Sequence, residues 1–318
     1  MSTGFVWHER CMWHDPGPVS GVTPAAGAFQ PGMFVENAET KRRLKNLLDA
    51  YDLTPQLQSL DAEPATDEML LRFHTAPYLQ SVAELSAGGG GDAGETALVG
   101  PGSDGIARLS AGGVYAAIGA VLTGEVSNAY SLCRPPGHHA ERDQGRGFCL
   151  YNNIAVAILE AQAQQLVERV AVVDWDVHHG NGTQALVEDD PRVRYVSLHQ
   201  WPLYPGTGLE EERGVGNVFN VPRPPGLPPA EYVHDLNEAV SQATDDWQPD
   251  LLIISAGFDA MAGDPLAGFT LEPEHYAEWT SNWLEIGAPI VSLLEGGYIP
   301  QRLAAGVVAH LTALNNAA

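Results

Sequence analysis

VAVVDWDVHHGNG, residues 170–182, joins an apolar run directly to a group of aspartates and histidines. Val170 to Val173 show no polar alternation, which predicts a strand that is covered on both faces. Asp176 and His178 lie two positions apart, so their side chains project to the same side at the end of this strand. A carboxylate and an imidazole on one face provide two of the three ligands of a catalytic metal site. The stretch therefore predicts a buried strand that ends in part of a metal site.

Further β-prone runs cover residues 129–133, 193–198, 251–255 and 290–294, although the run 193–198 is less purely apolar at 195–197. Helical patterns cover 41–48, 105–122, 152–166, 229–247 and 273–286. Strands that alternate with helices predict right-handed crossovers and a mostly parallel sheet with helices on both faces. We therefore predict one α/β domain over residues 1–318, with irregular Gly- and Pro-rich loops in roughly 1–36 and 86–105.

The carboxyl edge of such a sheet is where α/β proteins bind ligands, so residues that follow strands are the candidates for a site. Asp259 follows the run 251–255 and adds a second carboxylate. Three ligands of mixed oxygen and nitrogen type leave a position open for water or substrate. Asp259 alone also fits an ordinary turn, but the whole Asp-x-Asp-x-His-His-Gly cluster is costly to bury without a cation. We expect a metal held by Asp176, His178 and Asp259.

A pair of histidines follows the run 129–133 in the sequence RPPGHH, residues 134–139. The prolines and the glycine restrict the backbone, so His138 and His139 are expected on a rigid turn. Amide hydrolysis by a metal-activated water needs a base for the water proton and an acid for the leaving amine. Histidine has an ordinary pKa close enough to neutrality for both tasks. A histidine pair alone is more often structural, but the neighbouring metal motif favours catalysis.

The sequence EGGY, residues 295–298, follows the last β-prone run. Its two glycines permit an unusual turn that can aim the Tyr298 phenol inward. A phenol beside the metal is suited to stabilise the oxyanion of a tetrahedral intermediate, a contribution of about 10²–10³ in rate. On its own the motif also fits a plain turn.

The composition narrows the choice of partners. The chain has 16 Lys and Arg against 40 Asp and Glu, a formal net charge of -24, which disfavours nucleic acid and favours cationic ligands. Acidity also serves solubility alone, and that alternative stays open. Cys11, Cys133 and Cys149 form no CxxC pair, and no signal peptide or apolar run of roughly 18 residues is visible. We predict a soluble protein of the reducing cytoplasm, without a membrane partner.

Together these motifs resemble the zinc-dependent histone deacetylase family of the arginase–deacetylase superfamily, in its class II-like branch of bacterial histone deacetylase-like amidohydrolases and acetylpolyamine amidohydrolases. The matching segments follow the family order from about residue 37 onward: 134–139, 147–149, 174–182, 197–199, 256–259 with 263–265, and 295–298. The resemblance implies a mostly parallel sheet of about eight strands, the arginase–deacetylase fold. It also implies hydrolysis of acetyl-lysine or a similar acylated amine by a metal-activated water.

The resemblance assigns roles to individual residues. Zinc is held by Asp176, His178 and Asp259, and Tyr298 is the oxyanion donor. His139 is the general base and acid, and His138 is an electrostatic partner oriented by Asp174. Asn181 is the partner of His139, an amide where some family members have Asp, which leaves His139 less basic than a carboxylate would. A structural potassium ion is expected at Asp174, Asp176, His178, Ser197 and Leu198.

The same resemblance suggests a tunnel for the acetylated side chain. Phe148 and Tyr204 resemble its aromatic walls, beside Gly147 in the matching segment 147–149. Asp92 sits roughly where related enzymes carry an aspartate that grips the substrate backbone. Leu266 follows Gly263-Asp264-Pro265, where acetylpolyamine-specific relatives carry a gatekeeper Glu. This departure argues against strict polyamine specificity, although an acetylpolyamine remains the alternative substrate.

Two other functions compete with deacetylation. A binuclear manganese hydrolase of the arginase type needs a second Asp two residues after Asp259, where this chain has Met261. A non-catalytic module that binds acetylated amines would be favoured by loss of a ligand, of His139 or of Tyr298, yet all are present. The N-terminal loops also leave a homo-oligomer possible.

Overall fold

Eight parallel strands form the central sheet of the computed structural model, which describes residues 2–317. In chain order they are β1 (Thr3–Val6), β2 (Gln58–Leu60), β3 (Asn128–Ser131), β4 (Val170–Asp174), β5 (Val193–Gln200), β6 (Val218–Arg223), β7 (Leu251–Ala256) and β8 (Ile290–Leu294). Their order across the sheet is β6-β5-β4-β7-β8-β3-β1-β2. The predicted α/β fold with a parallel sheet is confirmed.

Helices cover both faces of the sheet. They are α1 (Ala38–Ala50), α2 (Asp67–Leu70), α3 (Ala76–Gly88), α4 (Ser103–Leu122), α5 (Asn153–Ala163), α6 (Asn181–Val187), α7 (Pro229–Thr244), α8 (Pro273–Leu284) and α9 (Pro300–Asn316). Side chains of α1, α7, α8 and α9 form the apolar layer on one face, while α3, α5 and most of α4 form the other. Ala171 and Val173 point into the first layer, and Val170 and Val172 into the second. This explains why β4 has no polar alternation.

Three strands of the central sheet were missed by the sequence analysis. β1 lies inside the segment 1–36 that was expected to be irregular, and β2 is only three residues long. β6 contains Asn220 and Pro222, which break an apolar pattern. Pro222 is tolerated because β6 is at the edge of the sheet, where one side of the backbone needs no partner strand.

The helix boundaries follow local signals. α1 begins three residues before the predicted segment because the Asn37 side chain accepts hydrogen bonds from the N–H groups of Glu39 and Thr40 at 3.0 and 3.3 Å. α5, α7 and α8 end two or three residues before their predicted limits. α3 and α9 were not predicted, although each has a proline in its first turn.

The segment 86–105 is also more ordered than expected. Residues 91–92 pair with 98–99, and Gly94–Glu95 pairs with Gly145–Arg146. This second ladder joins the segment to the loop that follows the histidine pair. The two loops therefore form one structure beside the carboxyl edge of the sheet.

One helix bears on the expectation about membranes. Of the described helices, α4 has the length and apolar composition of a membrane span, with a mean hydropathy of 1.4, although no such segment was predicted. However, 67% of that window is buried inside the domain. α4 packs against α5 and the strands β1 and β3, as a core helix of an α/β domain does.

Candidate active site

Three predicted ligands meet at the carboxyl edge of the sheet. Asp176 and His178 follow β4, and Asp259 follows β7, the neighbouring strand. One potential ligand atom of each residue lies within 4.8 Å of the others, and all three side chains are buried. The two-residue spacing and the strand pairing thus bring together the three groups that the sequence singled out.

The charges of this group fit a cation. His178 Nδ1 lies 3.1 Å from Asp176 Oδ1 and 3.1 Å from Asp259 Oδ2. Burial disfavours protonation of His178, but the two carboxylates outweigh it and raise the pKa of His178 to about 10. Burial and the nearby Asp176 carboxylate raise the pKa of Asp259. Two buried carboxylates and one imidazole therefore concentrate negative potential at one point, which suits a divalent metal.

Glycines allow the backbone to approach these ligands. A Cβ atom at Gly257 would collide with the Asp176 carboxylate, and one at Gly296 would collide with Asp259. The Gly296 N–H donates to Asp176 Oδ2 at 2.9 Å. The first glycine of the Gly-Gly-Tyr motif therefore orients a ligand, a role that the sequence analysis did not assign.

His138 is held between two acidic groups. Its Nδ1 lies 3.1 Å from Asp174 Oδ2, as predicted. Burial opposes a charge on the ring, but Asp176 and Asp174 raise the pKa of His138 to about 10. Glu295 Oε2 accepts the N–H groups of Gly137 and His138 at 2.7 and 3.2 Å and so fixes the histidine turn. The sequence analysis included Glu295 in the EGGY motif, but it did not predict this contact with His138, which lies 157 residues earlier in the chain.

His139 has the opposite electrostatic character. Its Nδ1 lies 2.8 Å from Asn181 Oδ1, the predicted partner. Burial, together with the neighbouring His138 and His178, lowers the pKa of His139 well below its usual value. A neutral imidazole with one free nitrogen is suited to accept a proton.

Tyr298 lies on the wall of a pocket that also contains His139 and His178. Its backbone N–H donates to Asp264 Oδ2 at 3.1 Å, and Asp264 Oδ1 accepts the Leu266 N–H at 3.0 Å. Burial raises the pKa of Tyr298 well above its usual value, so the phenol keeps its proton. Asp264 therefore connects the predicted oxyanion donor to a residue of the pocket wall, a link that the sequence did not reveal.

The pocket at this edge has a volume of about 280 Å³. Four predicted substrate residues line it: Gly147, Phe148, Tyr204 and Leu266. Four residues that the sequence analysis missed also line it: Val22, Glu95, Thr96 and Leu203. They come from loops without a periodic pattern, so no local signal marked them.

Asp92 does not line this pocket among the described residues. Its carboxylate accepts hydrogen bonds from the N–H groups of Gly94, Thr96 and Ala97 at 3.0–3.1 Å. It thereby shapes the loop that presents Glu95 and Thr96 to the pocket. A direct grip of Asp92 on a substrate stays a prediction.

Three of the five residues expected to bind potassium lie on adjacent strands, while Asp176 and His178 follow the end of β4. Asp174 of β4 pairs with Ser197 of β5, and Leu198 follows. The Ser197 hydroxyl is engaged with His199 Nδ1 at 2.9 Å. The sheet register places these residues side by side, and the ion itself stays a prediction.

Residues 35–314 match the family model described as the histone deacetylase domain. The chain belongs to the histone deacetylase family. It is 47% identical over 309 residues to a histone deacetylase-like amidohydrolase of Pseudomonas aeruginosa, covering 93% of this chain and 81% of the relative. It is 34% identical to a probable deacetylase of Archaeoglobus fulgidus, covering 94% of this chain and 82% of the relative.

Two further members of the histone deacetylase family extend the comparison. Human polyamine deacetylase HDAC10 is 33% identical, with 96% of this chain and 47% of the relative covered. The crystal structure of the HDA15 HD domain superposes with a TM-score of 0.91 at 33% identity, covering 99% of this chain and 89% of the other. The fold, the deacetylase and amidohydrolase family and the bacterial histone deacetylase-like relationship predicted from the motifs are confirmed.

Proposed function

We propose that this histone deacetylase family member is a zinc-dependent deacetylase that hydrolyses the amide of an acetylated linear amine, such as acetyl-lysine. The observation that carries the proposal is one pocket that ends at His178 of the ligand group, with His139 and Tyr298 on its walls. The cation site, the proton carrier and the hydrogen-bond donor therefore face the same volume, as hydrolysis of one amide bond requires.

Asp176, His178 and Asp259 would hold the zinc. The set of two carboxylates and one imidazole matches the oxygen and nitrogen ligands of catalytic zinc and leaves room for a further ligand. A bound zinc polarises the amide carbonyl and makes water nucleophilic at neutral pH. Met261, which is buried and apolar, offers no hard ligand for the second metal of an arginase-type centre.

The proton transfers fall to the histidine pair. With Nδ1 engaged by Asn181, His139 presents Nε2 as the atom that takes the proton from water and returns it to the leaving amine nitrogen. The ring centroids of His138 and His139 are 4.0 Å apart. A positive His138, held by Asp174, stabilises the negative charge that develops on the reacting oxygen.

Tyr298 completes the site. Its protonated phenol is placed to donate a hydrogen bond to the carbonyl oxygen as charge develops there. The rings of Phe148 and Tyr204 then enclose the methylene chain of the substrate, with Leu266 on the same wall. These apolar walls suit the uncharged stem of an acetylated amine.

The substrate range follows from the mouth of this pocket. Leu266 stands where acetylpolyamine-specific relatives carry a gatekeeper Glu, and Glu95 is paired with Arg146 at 2.6 Å. We therefore favour acetyl-lysine or a related acylated amine over an acetylpolyamine. The human relative named a polyamine deacetylase keeps the second substrate as the alternative.

Three further assignments belong to the proposal. The structural potassium ion is assigned to Asp174, Asp176, His178, Ser197 and Leu198. The three cysteines are buried and free, as expected for the cytoplasm. Trp13, Phe29 and Met33 in the N-terminal segment are 69%, 59% and 74% exposed, and we assign a homo-oligomeric contact to this segment.

A competition assay tests the function. Zinc-loaded protein is offered acetyl-lysine peptides, acetylpolyamines and longer acyl-lysines, and release of the free acid is measured. We expect acetate from the peptide above all, and almost none from His139→Ala, which keeps its zinc because His139 is no ligand. Zinc-loaded protein that releases no acid from any of these probes would overturn the proposal.

A further inference from the structure

Asn181, the amide that contacts His139, is itself held by a carboxylate. Asn181 Nδ2 donates to Glu141 Oε1 at 2.6 Å, while Asn181 Oδ1 faces His139 Nδ1 at 2.8 Å. Glu141 lies two residues after His139 in the same loop. The same Nδ2 also donates to the backbone carbonyl oxygen of His139, at the longer distance of 3.2 Å. A continuous chain of hydrogen bonds thus runs from Glu141 through the amide to the imidazole.

The chemistry of these groups fixes the direction of the chain. An ionised carboxylate only accepts hydrogen bonds, so the end of Asn181 that faces Glu141 must be the NH₂ group. The carbonyl end must then face His139, and its oxygen accepts a hydrogen bond from Nδ1–H. The Nδ1–H tautomer leaves the lone pair of His139 on Nε2.

Glu141 is fixed from its other side. Arg146 Nη1 donates to Glu141 Oε1 at 3.0 Å, and Arg146 Nη2 lies 2.6 Å from Glu95 Oε2 at the mouth of the pocket. The Arg146 side chain is 19% exposed and that of Glu141 is 31% exposed. The carboxylate is therefore partly shielded and held in one orientation by a cation that cannot itself accept a hydrogen bond.

We propose that Glu141 is a positioning residue that, through Asn181, sets the tautomer and the orientation of His139. This inference rests on the proposed function, because His139 must be the proton carrier for its tautomer to matter. It also gives the amide at position 181 a role in connecting His139 to a carboxylate. The carboxylate that some family members place directly behind this histidine is present here one hydrogen bond further away.

Glu141→Gln tests the role with little change of shape. A glutamine can offer either its oxygen or its NH₂ group to Asn181, so the Asn181 amide is then oriented only by the longer bond of 3.2 Å to the His139 carbonyl oxygen and can flip. We expect kcat to fall about 10–100-fold, as for other residues that orient a catalytic group, with KM, zinc content and Tm nearly unchanged. Asp143→Asn, an exposed carboxylate of the same loop, is the matched control and should keep the wild-type kcat.

Exchange of the two groups supplies a sharper test. Asn181→Asp alone brings two carboxylates together and should lower activity. Asn181→Asp combined with Glu141→Gln restores one acceptor facing His139 and one donor behind it. We expect the double variant to recover to within about threefold of wild type. A double variant no more active than either single variant contradicts the proposal, as does Glu141→Gln with the kcat of Asp143→Asn.

A spectroscopic measurement reports the tautomer without turnover. In zinc-loaded protein with ¹⁵N-labelled histidine, the His139 signals are identified by their loss in His139→Ala. We expect a protonated Nδ1 and an unprotonated Nε2 in wild type, and a mixture of tautomers in Glu141→Gln. A wild-type tautomer in Glu141→Gln would overturn the positioning role. If the proposed function itself is wrong, the wild-type protein will release no acetate in the competition assay, and this result is distinct from the effect of Glu141→Gln.

Discussion

Two buried clusters of charged side chains in this domain are balanced in different ways. In the paired cluster, Glu36 lies 2.7 Å from Lys41 Nζ and 3.0 Å from Arg134 Nε, and all three side chains are at most 2% exposed. In the acidic cluster, formed by Asp174, Asp176 and Asp259, the described residues offer only histidines as ionic partners. A buried carboxylate with its own Lys and Arg is compensated within the fold, whereas surplus buried carboxylates need a cation from outside.

The paired cluster also has a structural role for the site. Arg134 begins the RPPGHH motif and donates to the carbonyl oxygens of Cys11 and His14 at 3.3 and 2.7 Å. It thereby connects the N-terminal segment to the turn that carries the histidine pair. The contrast separates a cluster that holds the loops in place from a cluster that is proposed to bind the catalytic metal.

The largest effect is expected from the acidic cluster. Asp259→Ala removes a ligand, so zinc and turnover should be lost almost completely. In the metal-free state the change removes a surplus buried carboxylate but also the acceptor of the Val177 N–H, so the variant should be at most about 1–3 kcal/mol less stable than metal-free wild type. Elemental analysis and thermal unfolding measure the two effects. Asp250→Ala, an exposed carboxylate just before β7, should keep its zinc. Full zinc occupancy in Asp259→Ala would remove the distinction between the clusters.

The paired cluster should respond in the opposite way. Lys41→Met leaves Glu36 with one cation fewer and should lower the free energy of unfolding by about 3–5 kcal/mol. Folded molecules should keep zinc and wild-type turnover. Lys45→Met, one turn along α1 with the half-exposed partner Asp49, should cost less than about 1 kcal/mol. Denaturant unfolding of the zinc-loaded proteins compares the two, and equal stabilities would contradict the proposed role of Lys41.

A change at Tyr298 tests the proposed chemistry without altering any residue of either charged cluster. Tyr298→Phe removes one donor and no ligand, so zinc content and Tm should stay unchanged. We expect kcat to fall about 10²–10³-fold, or roughly 3–4 kcal/mol, with little change in KM. Tyr204→Phe removes the other pocket phenol, whose oxygen has no hydrogen-bond partner among the described residues, and should have a small effect. A Tyr298→Phe rate within about threefold of wild type would reject the catalytic role.

The smallest effect concerns acid stability. Burial alone would raise the pKa of Glu36, but Arg134 and Lys41 outweigh it and lower that pKa to about 2 from an ordinary 4.5. A lowered carboxyl pKa stabilises the fold above the unfolded value, and this stability is lost as the pH falls from about 4.5 to 2. The loss should amount to roughly 3 kcal/mol. The free energy of unfolding of Glu36→Gln should therefore fall less over this range than that of wild type, and parallel curves would contradict the ion pairing.

The sequence predicted the centre of the sheet better than its edges. The run 170–173 is apolar because both faces of β4 are covered, and this pattern is visible in the sequence. β1 has only four residues, including Gly4, and its strand conformation depends on pairing with β2 and β3. A partner that is distant in sequence leaves no local period.

The site divides in the same way. Asp176, His178 and Asp259 were predictable because each follows a strand, and strand order brings them together. Glu141 lies two residues after the histidine pair, but its proposed role depends on a contact with Asn181, 40 residues away. Glu95 reaches the pocket only because its loop pairs with residues 145–146. Such contacts follow from tertiary packing and have no spacing rule.

The placement of ligands and pocket walls has a consequence for inheritance. The proposed metal ligands follow strands of a buried sheet, whereas Val22, Glu95, Leu203 and Leu266 of the pocket belong to surface connections. Random mutation can alter those connections at little cost to folding. A lineage can therefore change the range of substrates that its pocket admits while the residues of the proposed metal site stay the same. Relatives 47% and 33% identical to this chain, one named an amidohydrolase and the other a polyamine deacetylase, fit such a history.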